Sequence, residues 1–217
     1  MIKSKFVQVA LQVWPQWAVT LTVTVLSISL GLVAGSTSPF IATLTMEDSV
    51  LPITDEEASW VASLMPLGRL FGAVAGSVSL EYFGSKLSVL GSGVPLIIGW
   101  ICIICANTPI WLYLSRMLSG ASMGMVFSSF PLFIGEIAAP NIRGALVSLV
   151  VNGMPLGTLM GNLMASELSM MWFGIISLIV SLCYIVIFPF VPQSPHYLIR
   201  HNDIDGAMAS IKWYQRR

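Results

Sequence analysis

Six apolar stretches occupy positions 18–38, 58–79, 87–106, 110–134, 145–166 and 170–190. Each is about as long as the roughly 20 residues a helix needs to cross the hydrocarbon core of a bilayer. In lipid the backbone must satisfy its own N–H and C=O groups, so these stretches are expected to be helices. Composition agrees: 56% of residues are hydrophobic and 9% charged, too little polar surface to coat a soluble globule. The expected fold is an all-α membrane protein of six transmembrane helices. Residues 1–17 form an N-terminal tail, and 191–217 begin a soluble segment.

The net charge of zero conceals an uneven distribution. The first connection carries Glu47, Asp48, Asp55, Glu56 and Glu57, while Asn107-Thr108-Pro109 and the turn at Glu167 hold no Lys or Arg. Lys3, Lys5, Lys86, Arg143, Arg200, Lys212, Arg216 and Arg217 fall on the opposite side. The positive-inside rule then places both termini in the cytoplasm, with the plasma membrane as the expected location. The first stretch is too long, and too far from the start, for a cleaved signal peptide. Cys102, Cys105 and Cys183 lie inside the spans, where Cys102 and Cys105 read as small apolar fillers. No metal cluster, phosphate loop or nucleophile–base pair is apparent, so neither an enzyme nor a cofactor is expected, and nothing points to nucleic acid.

Small residues four apart let helices approach closely in lipid. Gly31 and Gly35 mark the first span, Gly68, Gly72 and Gly76 the second, Gly120 and Gly124 the fourth, and Gly153, Gly157 and Gly161 the fifth. The third and sixth spans lack such pairs and are expected at the periphery. Each half of the bundle then has two packed helices and an outer one, a 3+3 plan that suits inverted repeats. The two basic-side loops are also alike. Glu81 precedes Lys86 as Glu136 precedes Arg143, and charges so placed are expected to form an ionic latch between helix ends.

Several motifs together carry a family resemblance. They are Gly76, Glu81, Gly84 and Lys86 after the second span, then Arg116, Gly120, Gly124 and Pro131 in the fourth. Gly135-Glu136, Arg143-Gly144, Pro192-Gln193-Ser194-Pro195-His196 and Asp55-Glu56-Glu57-Ala58-Ser59-Trp60 complete the set. The chain resembles the N-terminal half of a sugar porter of the major facilitator superfamily, most like the insect facilitated trehalose transporter group. The resemblance implies facilitative transport of trehalose or a hexose by alternating access. It also implies a second six-helix half, or a second subunit, as partner alongside the lipid bilayer. Ser85, Gln193 and His196 each stand where the family has a charge, which leaves Glu81, Lys86, Glu136, Arg143 and Arg116 for the latch. His196 is a candidate to restore part of the interaction when protonated.

Candidate residues for the substrate cavity are Thr24, Arg69, Ser128 and Asn152, with Thr20, Ser27 and Ser129 as further hydroxyls. Asn152 stands beside Val151, which occupies the position of the family's substrate-binding glutamine. Arg69 lies near the middle of the second span, where an arginine costs roughly 2.5 to 3.5 kcal/mol. It therefore faces a watery cavity, where it could select an anionic solute, or a partner inside the bundle. No acid lies within a span away from its ends, which favours facilitated diffusion over proton symport. After the sixth span, Asn202 is placed to cap a helix with Ile204, Ala207, Met208 and Ile211 as its apolar stripe. A non-transporting half that serves as a subunit or regulator is the alternative of a different class.

Overall fold

The computed structural model describes the backbone of residues 2–46 and 51–215, with side chains from residue 13 onward. Glu47, Asp48, Arg216, Arg217 and the side chains of Lys3 and Lys5 lie outside the described residues. Helices α1 (Ile2–Leu44), α2 (Asp55–Ile104), α3 (Pro109–Ile137), α4 (Arg143–Glu167) and α5 (Met170–Ile187) make up the bundle. A 3-10 turn (Phe188–Phe190) and the short helices α6 (Pro195–Arg200) and α7 (Ile204–Gln215) follow. Among the described residues five helices are long and apolar enough to cross a membrane, and α1 runs unbroken from Ile2 through the segment expected to be a tail.

Helix α2 is 50 residues long, and straight it would reach about 75 Å, more than twice a hydrocarbon core of about 30 Å. It is not straight. Gly84 interrupts it with φ 79° and ψ 172°, a conformation that side-chain-bearing residues rarely adopt, and a Cβ there would also strike the Tyr197 ring. Ser79 and Ser88, nine residues apart, hydrogen-bond through their hydroxyls at 2.9 Å. The two arms therefore fold back on each other. Along α3, Gly68 meets Met117 and Gly72 meets Ala121, so the first arm runs parallel to α3. On the second arm Gly99 meets Ser115 and Ser119, while Ser122 donates to the Ser92 carbonyl at 2.6 Å, so that arm runs antiparallel. At its start α2 has a full capping box. The Thr54 hydroxyl accepts from Glu57 N at 3.2 Å, and the Glu57 carboxylate accepts from Thr54 N at 2.9 Å.

A second parallel seam joins α1 to α4. Gly31 lies against Met154 and Gly157, Gly35 against Thr158, Gly153 against Thr24, Gly157 against Ile28 and Gly161 against Leu32. Helix α3 is antiparallel to α1, because Arg116 near its start reaches Val33 and Thr37 while Ala139 just past its end reaches Gln16. The α1–α4 and α2–α3 seams thus run in opposite directions.

The second arm of α2 and α5 close the other flank. Trp100 Nε1 donates to Ser181 Oγ at 3.1 Å, and the Tyr184 hydroxyl donates to the Val89 carbonyl at 2.8 Å. Phe40 and Phe173 stack edge-on with ring centroids 5.2 Å apart, and Trp100 packs edge-on against Phe173. Exposed tryptophans sit at both ends of the bundle, Trp14, Trp17 and Trp213 at one and Trp60, Trp111 and Trp172 at the other. Amphipathic rings favour that position at a membrane boundary.

The third span packs one face inward and leaves Leu87, Val94, Ile98 and Ile101 exposed on the other. Its Val89, Leu96 and Trp100 are fully buried, whereas only 28% of the most apolar stretch of α4 is covered, against 67% for α1. Serines line the packed face of the third span and of α3 opposite it. Ser88, Ser92, Ser119 and Ser122 permit the same close approach as glycine, and a count of glycine pairs passes over them. The barest faces belong instead to α4 (Leu156, Leu159, Leu163) and the first arm of α2 (Leu70, Phe71, Val74).

Candidate functional site

Of the four residues expected in a substrate cavity, the structure uses two for packing. Thr24 is buried in the α1–α4 seam against Gly153, with its hydroxyl bonded to the Thr20 carbonyl at 2.8 Å. Ser128 sits against Gly76 in the α2–α3 seam and bonds to its own helix at Met125. Thr20 and Ser129 bond back to their own helices, at Gln16 and Met125, and Ser27 packs on Gly153. A seam that needs small residues on both sides takes up small hydroxyl residues as readily as glycine.

Arg69 and Asn152 are exposed. The guanidinium carbon of Arg69 lies 4.9 Å from the centroid of the Phe127 ring, a cation–π contact, and no ion pair to it occurs among the described residues. Asn152 Nδ2 donates to the Ser148 carbonyl at 2.8 Å. On the bare face of α4 an open groove of about 670 Å³ is lined by Met154, Pro155, Thr158, Leu159, Asn162 and Leu163. Asn162 is a polar group that sequence reasoning missed.

Among the described residues Glu81, Lys86, Glu136 and Arg143 form no ion pair with one another. Glu81 and Arg143 are exposed, and Lys86 is buried with its ammonium donating to the Pro189 carbonyl at 3.2 Å. Glu136 accepts a hydrogen bond from the buried Ser85 hydroxyl. Ser85 thus keeps a link to Glu136 without a charge, because the reversal at Gly84 brings the neighbouring Ser85 directly to the end of α3. Arg116 is no part of this end. It lies 20 positions before Glu136, about 30 Å along α3, fully buried with Nη1 donating to Val33 O at 3.1 Å and Thr37 Oγ1 at 2.8 Å. His196 is exposed.

What the basic end holds instead is a neutral buried network. Gln16, 1% exposed, accepts from the Ala139 amide at 2.9 Å and donates to the Tyr214 carbonyl at 3.1 Å. The Tyr214 hydroxyl donates to Pro192 O at 2.9 Å, and Ser210 Oγ to Gln193 O at 2.6 Å. Burial, reinforced by the nearby Glu136 carboxylate, pushes the Tyr214 phenol well above its ordinary pKa, so it stays a neutral donor. The cap and the stripe of α7 both move from their expected places. Asp203 Oδ1, not Asn202, accepts from Gly206 N at 2.9 Å, since Asn202 has φ 59° and turns the chain one residue before the helix. Helix α7 docks through Ala207, Ser210 and Tyr214, and Ile204, Met208 and Ile211 remain exposed. No group of His, Cys, Asp and Glu that could hold a metal occurs among the described residues.

The bundle, with two glycine seams of opposite direction, defines a multi-pass membrane protein of the major facilitator fold. A proton:xylose symporter bound to 6-bromo-6-deoxy-D-glucose matches it with a TM-score of 0.80 over 94% of this chain and 50% of that one, at 17% identity. An inward-open xylose transporter from E. coli matches with a TM-score of 0.75 over 93% and 55%. In sequence the chain belongs to the family described as sugar (and other) transporter, whose model matches residues 18–217. The facilitated trehalose transporter Tret1 of Bombyx mori is 31% identical over 92% of this chain and 39% of its own length. The Anopheles gambiae protein of the same name is 28% identical over 94% and 26%. The chain therefore spans well under half of these relatives.

Proposed function

We propose that this chain forms one half of a facilitative sugar carrier, which moves trehalose or a hexose down its gradient by alternating access. The observation that carries the reading is the pair of glycine seams, α1 with α4 and α2 with α3, running in opposite directions. That is the arrangement inverted repeats give a transporter half, with a substrate site near the membrane midplane. The reversal at Gly84 supports counting α2 as two spans, which makes six with α7 as a soluble helix beyond them. The basic ends then lie in the cytoplasm by the positive-inside rule, with the plasma membrane as the site of action.

In this reading the bare faces of α4 and of the first arm of α2 meet a second six-helix half, from the same product or from another subunit. Arg69, over Phe127, and Asn152 and Asn162 are the polar groups offered toward the sugar. An aromatic ring with convergent donors and acceptors is what a polyhydroxylated solute needs. Transport is uncoupled from protons in this reading, since no acid lies within the six spans away from their ends. Uptake of labelled trehalose and glucose, with Asn152→Ala and Arg69→Ala as variants, tests the assignment. Weakened half-saturation in either variant supports it, and unchanged uptake in both contradicts it.

A further inference from the structure

Helix α7 turns its more apolar side away from the protein, with Ile204 66% and Met208 54% exposed. Its docked face offers only Ala207, Ser210 and Tyr214. Ala207 and the fully buried Tyr214 ring supply the apolar part of that seat, and the polar contacts around them have one side chain at their centre. Gln16 bridges two segments that lie 123 and 198 residues away from it in sequence. The orientation of its amide is not ambiguous. The Ala139 N–H can only donate and the Tyr214 carbonyl can only accept, so Oε1 must face the first and Nε2 the second. Buried this deeply, both bonds are strong and both are costly to leave unmade.

The segments joined are those that surround Glu136. Ala139 lies three residues beyond it, Tyr214 is close enough to feel its charge, and Ser85 donates to it from the α2 reversal. We propose that Gln16 is the positioning residue that fastens α7 and the loop after Glu136 to the first span, so that the cytoplasmic helix moves with the bundle as one body. No other residue type does this at full length. Asparagine is too short, leucine neither donates nor accepts, and an ionised glutamate accepts without donating. The transport consequence rests on the carrier reading above, whereas the fastening itself does not.

The test is amide hydrogen exchange of the full chain in lipid nanodiscs, with uptake measured alongside. Gln16→Leu removes both bonds, so Ala139 and the α7 amides should exchange several-fold, up to about tenfold, faster while α4 and α5 keep their rates. Gln16→Glu keeps the acceptor. At about pH 9 it should speed α7 alone, and at about pH 6, where a buried carboxyl set against the Tyr214 carbonyl, with the Glu136 carboxylate three residues before Ala139, takes up a proton, α7 protection should return. A packing defect alone would not respond to pH in this way. Unchanged α7 exchange in both variants, or acceleration spread evenly over all spans, overturns the proposal. In uptake, Gln16→Leu should lower the maximal rate and leave half-saturation unchanged. If the unsubstituted chain carries no sugar, the carrier reading fails and the exchange result still decides the role of Gln16.

Discussion

Gly72→Ala is the sharpest probe of the α2–α3 seam. A Cβ built on Gly72 lies 2.5 Å from Ala121 Cα and 2.6 Å from its carbonyl carbon, and is closer still to the carbonyl oxygen. Carbon atoms in ordinary contact stand about 3.5 to 4.0 Å apart, so the two helices must separate by roughly 1 Å to admit one methyl group. Nothing at this point can swing aside, because every atom met is backbone. Overpacking of this kind costs about 1–3 kcal/mol, and in a chain of this size that lowers the melting temperature by roughly 2 to 12 °C. Gly91→Ala is the control. Its Cβ meets nothing within 4 Å, and alanine is the better helix former by up to about 1 kcal/mol. Thermal denaturation of the two variants in detergent, followed by size-exclusion chromatography, should therefore show a clear loss for Gly72→Ala and none for Gly91→Ala. Equal melting temperatures would refute the argument that these helices meet backbone to backbone.

Thr37→Val removes an acceptor from the buried Arg116 guanidinium, and a hydrogen bond to a charged group is worth about 1.5–3 kcal/mol; a thermal shift assay should register that loss. Ser85→Ala deletes the donor to Glu136 and should destabilise the basic end, which increased proteolysis between α3 and α4 would report. Ser85→Arg should restore protection by giving Glu136 an ionic partner. The raised pKa of Tyr214 implies that the folded state holds the phenol neutral, a contribution to stability fully present below the ordinary value of 10.0. It is lost only as pH rises above that value toward the folded-state pKa. Tyr214→Phe should remove this alkaline sensitivity of α7 docking, as measured by the fluorescence of the neighbouring Trp213.

The glycine seams could be read in the sequence because spacing by four is a property of one helix, and close approach in lipid demands it. The α2 reversal was legible for a similar local reason: apolar stretches of membrane-spanning length stand on either side of Gly84. Partners distant in sequence were not legible. Nothing near Gln16 announces Ala139 or Tyr214, and a polar residue at the edge of a span has a dozen ordinary explanations. The loop charges are a comparable case. Glu136 and Arg143 stand close in sequence, but the chain between them leaves α3 through Ala138 and starts α4 at Arg143 with that side chain pointing to solvent. Thr24 and Ser128 suit a sugar by residue type, and their small size also suits the seams in which they lie. For α7 the helical period was right and the buried face was not, since the docked face is the one that carries Tyr214 and its hydrogen-bond partners.

Uptake of labelled trehalose and glucose by cells expressing this chain from its native transcript tests the central claim most directly. Saturable uptake that is indifferent to an imposed proton gradient is the predicted result. Folded protein at the cell surface with no saturable sugar uptake, or uptake that follows the proton gradient, would contradict it.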